Sequence, residues 1–360
     1  MKSNYDVVLH IPSLKGGGAE RVAVEIGRYF SEHGKSTAFF IHHSQVAYDL
    51  PGDVDVIVAR NSGHVQRVLE FRAFLKEVRV HTVISFLPYA NLISVLANVG
   101  LAGGPRLVVS EHLSYVDFGS VGPKERFKLA LTGYLYKRAD GIVAVSTGVA
   151  DDLRQRLSAS AARKVVVIHN PCYIPNAEST RLLHDGSAPI VLAVGRLVRQ
   201  KGLDVLITAF SLVRKDNHKA QLVIVGEGPD RGALEEQIAQ LGLNGSVTLR
   251  GFSRNIADEY KRADLFVCSS RAEGFGNVIV EALSFGLPVV STACKHGPEE
   301  ILEGGRYGTL VPVGDPISLS AAIVTALRTS VDPEVQIKRA KDFGLAAIGR
   351  RYMTVAGFAT

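Results

Sequence analysis

Residues 190–202 read IVLAVGRLVRQKG, an apolar run followed by a glycine and by a loop that carries three basic residues. A short run of β-branched and aliphatic residues that ends in a glycine turn is typical of a buried parallel strand that leads into a helix. Similar runs alternate along the chain with segments of helical period, such as the face formed by Ala19, Val22, Ala23, Ile26 and Phe30. This alternation predicts an α/β fold in which helices cover both faces of parallel sheets.

The predicted strands fall into two sets, one in each half of the chain. The first set is Val7–Ile11, Thr37–His42, Val54–Ala59, Thr82–Leu87, Leu107–Ser110, Gly141–Val145 and Val165–Ile168. The second set is Ile190–Val194, Leu222–Val225, Val247–Leu249, Leu265–Cys268, Pro288–Ser291 and Thr309–Val313. Two sets of this size predict two Rossmann-like, doubly wound parallel-sheet domains that face a central cleft. Ligands of such sheets lie at the carboxyl ends of the strands, so the cleft is the expected site.

The predicted boundary between the domains is a polar stretch without periodicity, CYIPNAESTRLLHDGSA at residues 172–188. This composition is typical of a linker. The prediction is therefore an N-terminal domain at 1–171, the linker, and a C-terminal domain at 189–335. A helix is expected over Pro333–Ile348, and residues 336–360 form a C-terminal segment whose return to the first domain is left open.

Composition excludes several classes of protein. The chain has 360 residues, of which 46% are hydrophobic and 21% charged, which suffices for two cores and is unlike a disordered chain. Three cysteines do not make a disulfide framework, and no apolar run reaches the length of a membrane span. We therefore expect a cytoplasmic protein.

The excess of positive charge lies in the first half. Residues 1–171 contain 20 Lys and Arg against 15 Asp and Glu, whereas the remainder contains 21 against 20. Two basic stretches, 64–81 and 122–140, account for this excess, and the second interleaves its cations with aromatic and aliphatic residues. The pattern favours peripheral contact with an anionic membrane surface, with an amphipathic helix packed on the sheet as the alternative. Nucleic acid is not expected, because no nucleic-acid-binding motif accompanies the charge.

The first of three candidate phosphate loops is KGGGAER at residues 15–21, which follows the first strand and opens a helix. Glycines there admit an anion, and the N–H groups of a helix N-terminus bind it. Arg21 stands where a dinucleotide-binding fingerprint requires its last glycine, so a nicotinamide site is not favoured. A plain tight turn is the alternative.

The other two loops belong to the second half. Arg196 and Lys201 follow a strand, where two cations can neutralise a pyrophosphate; a charged surface loop is the alternative. The segment EGFGNVIVE at 273–281 carries two carboxylates around the start of a helix. Carboxylates and helix N–H groups together can hold sugar hydroxyls and a phosphate, and a helix cap with two solvated acids is the alternative.

Together these loops resemble the GT-B glycosyltransferases, specifically the retaining family-four group. That group carries a GGAER-type loop, a GR-x4-KG segment and an E-x7-E segment that reads EGFG. Further matching stretches are VGEGP at 225–229, ADLFV at 263–267, GLPVV at 286–290 and GPEEIL at 297–302. The resemblance covers nearly all of the second domain and the first strand–helix unit of the first, and it implies a role in bacterial surface polysaccharide or oligosaccharide assembly.

The resemblance also implies roles for individual residues. Arg196 and Lys201 match the pair that binds the diphosphate of a nucleotide sugar. Glu273 matches the acid beside the donor sugar, and Glu281 the acid that binds the ribose hydroxyls. The remaining matched positions contact phosphate, sugar or nucleobase: Gly17, Gly18, Gly226, Phe252, Gly274, Phe275, Gly276 and Asn277.

His112 completes the predicted catalytic set with Arg196, Lys201 and Glu273. It ends a strand where family members often carry a histidine, which can donate to a sugar hydroxyl or hold developing positive charge; a loop histidine without a role is the alternative. Glu111 and Asn91 are weaker candidates. The pair Asp53 and Asp55 has the form of a metal site but lies far in sequence from the diphosphate residues, so no metal and no other cofactor is expected.

The expected activity is retaining, metal-independent transfer of a hexose or N-acetylhexosamine from a nucleotide diphosphate sugar to a glycan or lipid-linked acceptor. The GPEEIL segment favours a UDP-sugar, and GDP-mannose is the alternative donor. A nucleotide-sugar 2-epimerase and a non-catalytic nucleotide-sugar-binding protein are alternatives of other classes. The expected location is the cytoplasm, with peripheral contact at the inner face of the cell membrane.

Overall fold

The chain divides into two compact units, of which the first comprises residues 1–171 and 344–360 and the second residues 172–343. The structure is a computed structural model that describes residues 2–112, 131–172, 188–253 and 255–359. The predicted linker at 172–188 lies almost wholly outside the described residues.

A seven-stranded parallel sheet forms the centre of the first unit, in the order β3-β2-β1-β4-β5-β6-β7. Its strands are β1 (Asn4–Ile11), β2 (Thr37–Ile41), β3 (Asp55–Val58), β4 (Arg79–Phe86), β5 (Arg106–Glu111), β6 (Gly141–Ala144) and β7 (Val165–Val167). The chain starts in the middle, builds toward one edge and then toward the other. This is the doubly wound arrangement, whose switch point lies between β1 and β4.

A six-stranded parallel sheet forms the second unit, in the order β10-β9-β8-β11-β12-β13. Its strands are β8 (Ile190–Val194), β9 (Gln221–Val225), β10 (Val247–Gly251), β11 (Leu265–Cys268), β12 (Val289–Thr292) and β13 (Thr309–Val311). The switch point lies between β8 and β11, which are paired in parallel through Leu265 opposite Val191 and Phe266 opposite Leu192. The loops that follow these two strands are therefore expected at one end of the sheet.

Helices connect the strands in both units. They are α1 (Gly18–Glu32), α2 (His64–Glu77), α3 (Pro88–Asn98), α4 (Thr147–Arg156), α5 (Ala159–Ala162), α6 (Leu203–Asp216), α7 (Arg231–Gln240), α8 (Ile256–Arg262), α9 (Asn277–Ser284), α10 (Pro298–Ile301), α11 (Pro316–Arg328), α12 (Pro333–Lys341) and α13 (Leu345–Val355). Among the residues that the structure describes, no helix has both the length and the apolar character needed to cross a bilayer.

The core of the first unit includes the C-terminal helix. The predicted apolar face of α1 is buried through Val22, Ala23, Ile26 and Phe30. Three residues of α13 join the same cluster: Ile348, Tyr352 and Met353. Full burial of a large apolar side chain stabilises the fold by about 1.5–3 kcal/mol. The last helix is therefore a structural part of the first unit.

All thirteen predicted apolar runs form strands, so the predicted α/β architecture of two parallel sheets is confirmed. The predicted single helix over Pro333–Ile348 is wrong. Helix α12 ends at Lys341 and α13 begins at Leu345, because Gly344 has the extended conformation (φ −66°, ψ 146°) that precedes a new helix. The second unit extends to Phe343, whereas the sequence analysis placed its end at 335.

Candidate functional site

The loops that follow β8 and β11 meet at the carboxyl end of the second sheet. There the Lys201 Nζ lies 2.6 Å from the Glu273 Oε1. The β8 loop turns at Gly202, whose φ is +60° and where a Cβ would overlap the carbonyl oxygen of Ser269. Only glycine permits both the backbone conformation and the close approach. The structure thus brings together two of the predicted catalytic residues, although they lie far apart in sequence.

The ion pair between Lys201 and Glu273 is largely buried, with 18% and 9% of the two side chains exposed. Ser270 donates a second hydrogen bond of 2.6 Å to the same Glu273 oxygen. Burial opposes the charged form of Lys201, but the Glu273 carboxylate outweighs it, so the pKa of Lys201 is raised above its ordinary value. Lys201 is therefore charged at neutral pH, and the pair is held in one geometry.

Arg196 supplies a second cation to this end of the sheet. Its residue is exposed, and within the described ranges its guanidinium has no hydrogen-bond or ion-pair partner. Its positive charge is close enough to act against the ammonium form of Lys201. Two neighbouring cations, of which only one is neutralised by a carboxylate, favour the binding of an anion.

Packing holds the EGFG loop in addition to the hydrogen bonds that Glu273 accepts. Phe275 is buried, with its ring centroid 5.4 Å from that of Phe343. A Cβ on Gly297 would overlap the carbonyl oxygen of Phe275, so the glycine of the GPEEIL segment is required where the two loops cross. Gly276 precedes α9 with a φ of +104°, and its N-cap position provides no side-chain cap among the described residues.

Helix α9 begins at Asn277, directly after the EGFG loop. Helix N-termini carry partial positive charge and favour anionic groups. Glu281 lies one turn further along α9 and does not join the ion pair. Its Oε2 instead accepts a hydrogen bond of 2.9 Å from the buried hydroxyl of Tyr260.

The residues predicted to surround the nucleobase lie along the same edge of the sheet, after β9 and β10. Gly226 donates from its N–H to the carbonyl of Gly251 at 2.8 Å. Its φ is +144°, and a Cβ there would overlap the carbonyl oxygen of Gly195 at the start of the basic loop. Phe252 follows Gly251, the last residue of β10, and is 69% exposed. Because β10, β9 and β8 are adjacent, these residues and Lys201 belong to one end of the sheet.

Sequence reasoning missed several residues that hold this site. Arg271 binds Asp204 through two hydrogen bonds of 2.8 and 2.7 Å, and it also donates to the carbonyl of Arg199 at 2.7 Å. It thereby ties the basic loop to the acidic loop. Ser270 orients Glu273, as described above. The polar run SSRAE that follows β11 was the available signal, whereas nothing near Tyr260 in the sequence pointed to Glu281.

In the first unit, Gly17 and Gly18 lie at the start of α1 as predicted. The N–H groups of Gly16 and Gly17 both donate to the Glu20 Oε2, at 2.8 and 2.9 Å. Ser13 donates to the other oxygen of Glu20. The carboxylate of Glu20 therefore occupies part of the N–H array that the sequence analysis assigned to a phosphate.

His112 lies at the end of β5 and is almost fully buried. Its Nε2 lies 3.0 Å from the hydroxyl of Ser110, which in turn lies 3.2 Å from the hydroxyl of Tyr352 on α13. Its Nδ1 has no hydrogen-bond partner among the described residues. Burial lowers the pKa of His112 to about 3, so the imidazole is neutral at physiological pH. It can donate or accept a hydrogen bond there, but it cannot carry the positive charge that the sequence analysis also considered.

The weaker candidates have structural partners. Asn91 is fully buried and donates to the carbonyl of Ser110 and to the hydroxyl of Tyr136. Tyr136 also donates to Glu111, which is fully buried as well. Asp53 and Asp55 accept hydrogen bonds from Ser31 and Tyr5. Within the described ranges, no group of three or more His, Cys, Asp and Glu residues is arranged to hold a metal ion.

Comparison with known families identifies the chain. The family profile described as Glycosyltransferase Family 4 matches residues 16–172, and the profile described as Glycosyl transferases group 1 matches residues 176–343. The chain is a family-four glycosyltransferase. The predicted family membership is thus confirmed over nearly the whole sequence.

Relatives of this glycosyltransferase act in bacterial glycan synthesis. It is 27% identical to the amylovoran biosynthesis glycosyltransferase AmsD of Erwinia amylovora, over 84% of this chain and 85% of the relative. It is also 27% identical, over 89% of each chain, to the N-acetylgalactosamine-N,N'-diacetylbacillosaminyl-diphospho-undecaprenol 4-alpha-N-acetylgalactosaminyltransferase of Campylobacter jejuni.

Solved structures of the same fold extend over the full length of this glycosyltransferase. HepE of Anabaena, solved with UDP and glucose, superposes with a TM-score of 0.79 at 20% identity, over 97% of this chain and 98% of HepE. A sucrose-phosphate synthase of Thermosynechococcus elongatus superposes with a TM-score of 0.84 at 19% identity, over 98% of each chain. The predicted GT-B fold is confirmed.

Proposed function

We propose that this glycosyltransferase transfers a hexose or N-acetylhexosamine from a UDP-sugar to a glycan or lipid-linked acceptor, with retention of anomeric configuration and without a metal ion. The proposed setting is bacterial polysaccharide or lipid-linked oligosaccharide synthesis. The observation that carries the proposal is the cluster at the carboxyl end of the second sheet, where Lys201 pairs with Glu273 and the charge of Arg196 acts on Lys201.

The cluster is suited to departure of a nucleotide diphosphate. As the bond between the sugar and the diphosphate breaks, negative charge develops on the phosphate oxygens. Fixed cations stabilise such charge without reorganising, and removal of one such group typically costs about 100- to 1000-fold in rate. Arg196 and Lys201 are assigned this role, and α9, which begins directly after the EGFG loop, adds the N–H groups of its first turn. Two cations in this position perform the work that a divalent metal performs at other sugar-nucleotide sites.

Glu273 and Glu281 are assigned to hydroxyl groups rather than to proton transfer. Glu273 already accepts hydrogen bonds from Lys201 and Ser270 through one oxygen, which orients the other oxygen for a donor-sugar hydroxyl. Glu281 is held by Tyr260 and is assigned to the ribose. In a retaining reaction at one face of the sugar, the leaving phosphate takes the proton of the acceptor, so the protein need not supply a base.

His112 is assigned to a hydroxyl of the donor sugar. Its neutral imidazole has one nitrogen held by Ser110 and the other without a partner among the described residues. A buried nitrogen without a partner costs free energy that a ligand hydroxyl can recover. This assignment uses the histidine as a hydrogen-bonding group and not as a proton carrier.

The proposed donor and acceptor classes draw on the relatives. HepE was solved with UDP and with UDP-glucose, which supports a uridine nucleotide over GDP. Two Campylobacter relatives are named for undecaprenol-linked diphosphate acceptors, which supports an acceptor of that class.

Peripheral membrane contact belongs to the same proposal and is assigned to the first unit. Within the described residues of the basic stretch 122–140, Tyr134 is 57% exposed, and the Lys137 ammonium lies 3.8 Å from its ring centroid. The other basic stretch, 64–81, offers a less available face, since Arg72 donates to backbone carbonyls within the unit. Sedimentation with vesicles of anionic lipid should depend on Lys137 and Tyr134, and retention of full binding by the Lys137→Gln and Tyr134→Ala variants would contradict this assignment.

Transfer to a defined acceptor tests the function. Purified protein in excess EDTA is incubated with UDP- and GDP-sugars and a polyprenyl diphosphate-linked sugar, and the product is analysed by mass spectrometry and by the proton coupling of its new anomeric centre. We expect transfer from a UDP-sugar with an α-configured product from an α-configured donor. Inversion, a strict need for metal or use of GDP-sugars alone would each refute part of the proposal. Conversion of the sugar without an acceptor would identify an epimerase, and binding without turnover a binding protein.

A further inference from the structure

Two helix N-termini meet at the carboxyl end of the first sheet. Helix α2 begins at His64, and α3 begins at Pro88. The His64 Nδ1 lies 2.8 Å from the Tyr89 hydroxyl, which joins the two first turns. Neither helix has a side-chain cap or an acidic residue in its first turn, in this described part of the chain. Two positive helix ends therefore lie side by side without a neutralising side chain.

The guanidinium of Arg67 adds positive charge at this point. Arg67 donates to the Tyr89 hydroxyl at 3.1 Å, and its Nε donates to the carbonyl of Asn61 at 3.1 Å. His64 converges on the same hydroxyl. A cation near a helix N-terminus opposes the helix dipole and destabilises the isolated protein, whereas an anion there is stabilised by both. A negatively charged group is therefore favoured at this point.

A buried histidine borders the same cluster. His42 follows β2 and is 6% exposed, and its ring stands edge-on to Tyr89 with the centroids 5.5 Å apart. Its Nε2 lies 2.9 Å from the Nε2 of His10. Its Nδ1, on the side of the ring away from His10, has no hydrogen-bond partner among the described residues. Burial lowers the pKa of His42 to about 4, and the positive charge of Arg67 acts in the same direction.

The neighbouring acid is held by the loop that leads into α2, and its negative charge opposes the effect of Arg67 on the pKa of His42. Glu70, one turn beyond Arg67 on α2, accepts hydrogen bonds from the backbone N–H groups of Arg60 and Asn61, at 2.7 and 3.1 Å. The side-chain amide of Asn61 donates to it as well, at 2.9 Å. Both carboxylate oxygens are therefore used to fix the loop that leads into α2.

We propose that His42, His64, Arg67 and Tyr89 form a binding site for a phosphate or diphosphate group of the acceptor. All four residues belong to the first unit, whereas the residues of the donor cluster belong to the second. This inference rests on the proposed function, because it presumes that the protein transfers a sugar to an acceptor. The two helix N-termini and the guanidinium of Arg67 favour a negatively charged group, such as a diphosphate, at this point.

Pyrophosphate binding tests the site without any transfer reaction. The protein is first saturated with UDP, which occupies the donor cluster, and pyrophosphate is then titrated while the imidazole NMR signals of His42 and His64 are followed. We expect both signals to shift, with at least tenfold weaker binding in Arg67→Gln and near-normal binding in Arg67→Lys. Lys76→Gln removes the same charge from the far end of α2 and should change nothing. Unchanged pyrophosphate binding in Arg67→Gln would overturn the site.

A second arm asks whether the anion belongs to the acceptor. The same glycan is offered on a polyprenyl diphosphate and on a neutral alkyl group. Arg67→Gln should raise the acceptor KM at least tenfold for the diphosphate-linked glycan, and leave unchanged the KM for the neutral one and for the UDP-sugar. An equal rise in KM for both acceptors in Arg67→Gln, or no rise for either, would overturn the acceptor assignment even if free pyrophosphate binds. Failure of UDP to bind the wild-type protein would refute the proposed function instead, and the pyrophosphate titration would still test the site.

Discussion

The Lys201–Glu273 pair gives a prediction about stability that is independent of catalysis. Lys201→Met keeps most of the side-chain volume but leaves the Glu273 carboxylate, which is 9% exposed, without its cation. Breaking one side of a buried ion pair typically costs about 3–5 kcal/mol. Ser270 still donates to Glu273 in this variant, so we expect the lower end of the range, about 3 kcal/mol.

The double variant should lose less free energy of unfolding than the sum of the losses in the two single variants. Glu273→Gln leaves Lys201 without its carboxylate. Because 18% of the Lys201 side chain is exposed, its ammonium can reach water, so this variant should lose less free energy of unfolding than Lys201→Met. The double variant Lys201→Met/Glu273→Gln leaves no buried charge, and the coupling between the two changes should be about 2 kcal/mol. Since the pKa of Lys201 is raised, the contribution of the pair is complete below the unfolded value of about 10.4 and is lost as the pH rises through the folded value.

Denaturant unfolding followed by circular dichroism measures these losses, because the chain has no tryptophan for fluorescence. Hydrogen exchange read by mass spectrometry then localises the loss, which should concentrate in peptides covering 190–202 and 265–281. A coupling energy near zero, or Lys201→Met unfolding as the wild type does, would refute the view that this pair is a buried, mutually stabilising contact.

Three further predictions concern both units. Gly297→Ala should destabilise the second unit by more than Gly314→Ala, since both have positive φ but only Gly297 faces a backbone carbonyl; denaturant midpoints of the two variants decide this. The pKa of His112 is lowered to about 3, against an unfolded value of about 6.5, so the free energy of unfolding should decrease as the pH falls below 6.5, by on the order of 2 kcal/mol at pH 5. His112→Asn should remove this part of the acid sensitivity, which unfolding at pH 5 and at pH 7 measures. Tyr352→Phe removes the hydroxyl that faces Ser110, and it should cost about 1 kcal/mol and move the imidazole NMR signals of His112, while unmoved signals would contradict the link.

The strands were predictable because their signal is local. A buried parallel strand needs a short run of β-branched and aliphatic residues, and that run is readable without knowing its neighbours. The break in the C-terminal helix was not predicted, because one glycine at position 344 is compatible with a helix in the sequence and is excluded from it only by packing. Nothing local in the sequence showed that α13 is buried in the core of the first unit.

The sequence predicted those residues of the site that lie in loops directly after strands. Arg196, Lys201 and Glu273 follow β8 and β11, and adjacency of those strands brings the loops together. The contact between Lys201 and Glu273 depends on Gly202 lying against Ser269, which no spacing reveals. The neutral state of His112 was also hidden, because it follows from burial by residues distant in sequence.

We propose that the second unit binds the diphosphate of a uridine nucleotide through Arg196 and Lys201 without a metal ion. Isothermal titration of UDP and GDP in the presence of EDTA, with the wild-type protein and Lys201→Met compared, tests this binding. We expect binding of UDP that EDTA does not weaken and that falls at least tenfold in Lys201→Met. Binding that requires a divalent metal, or that survives Lys201→Met unchanged, would contradict it.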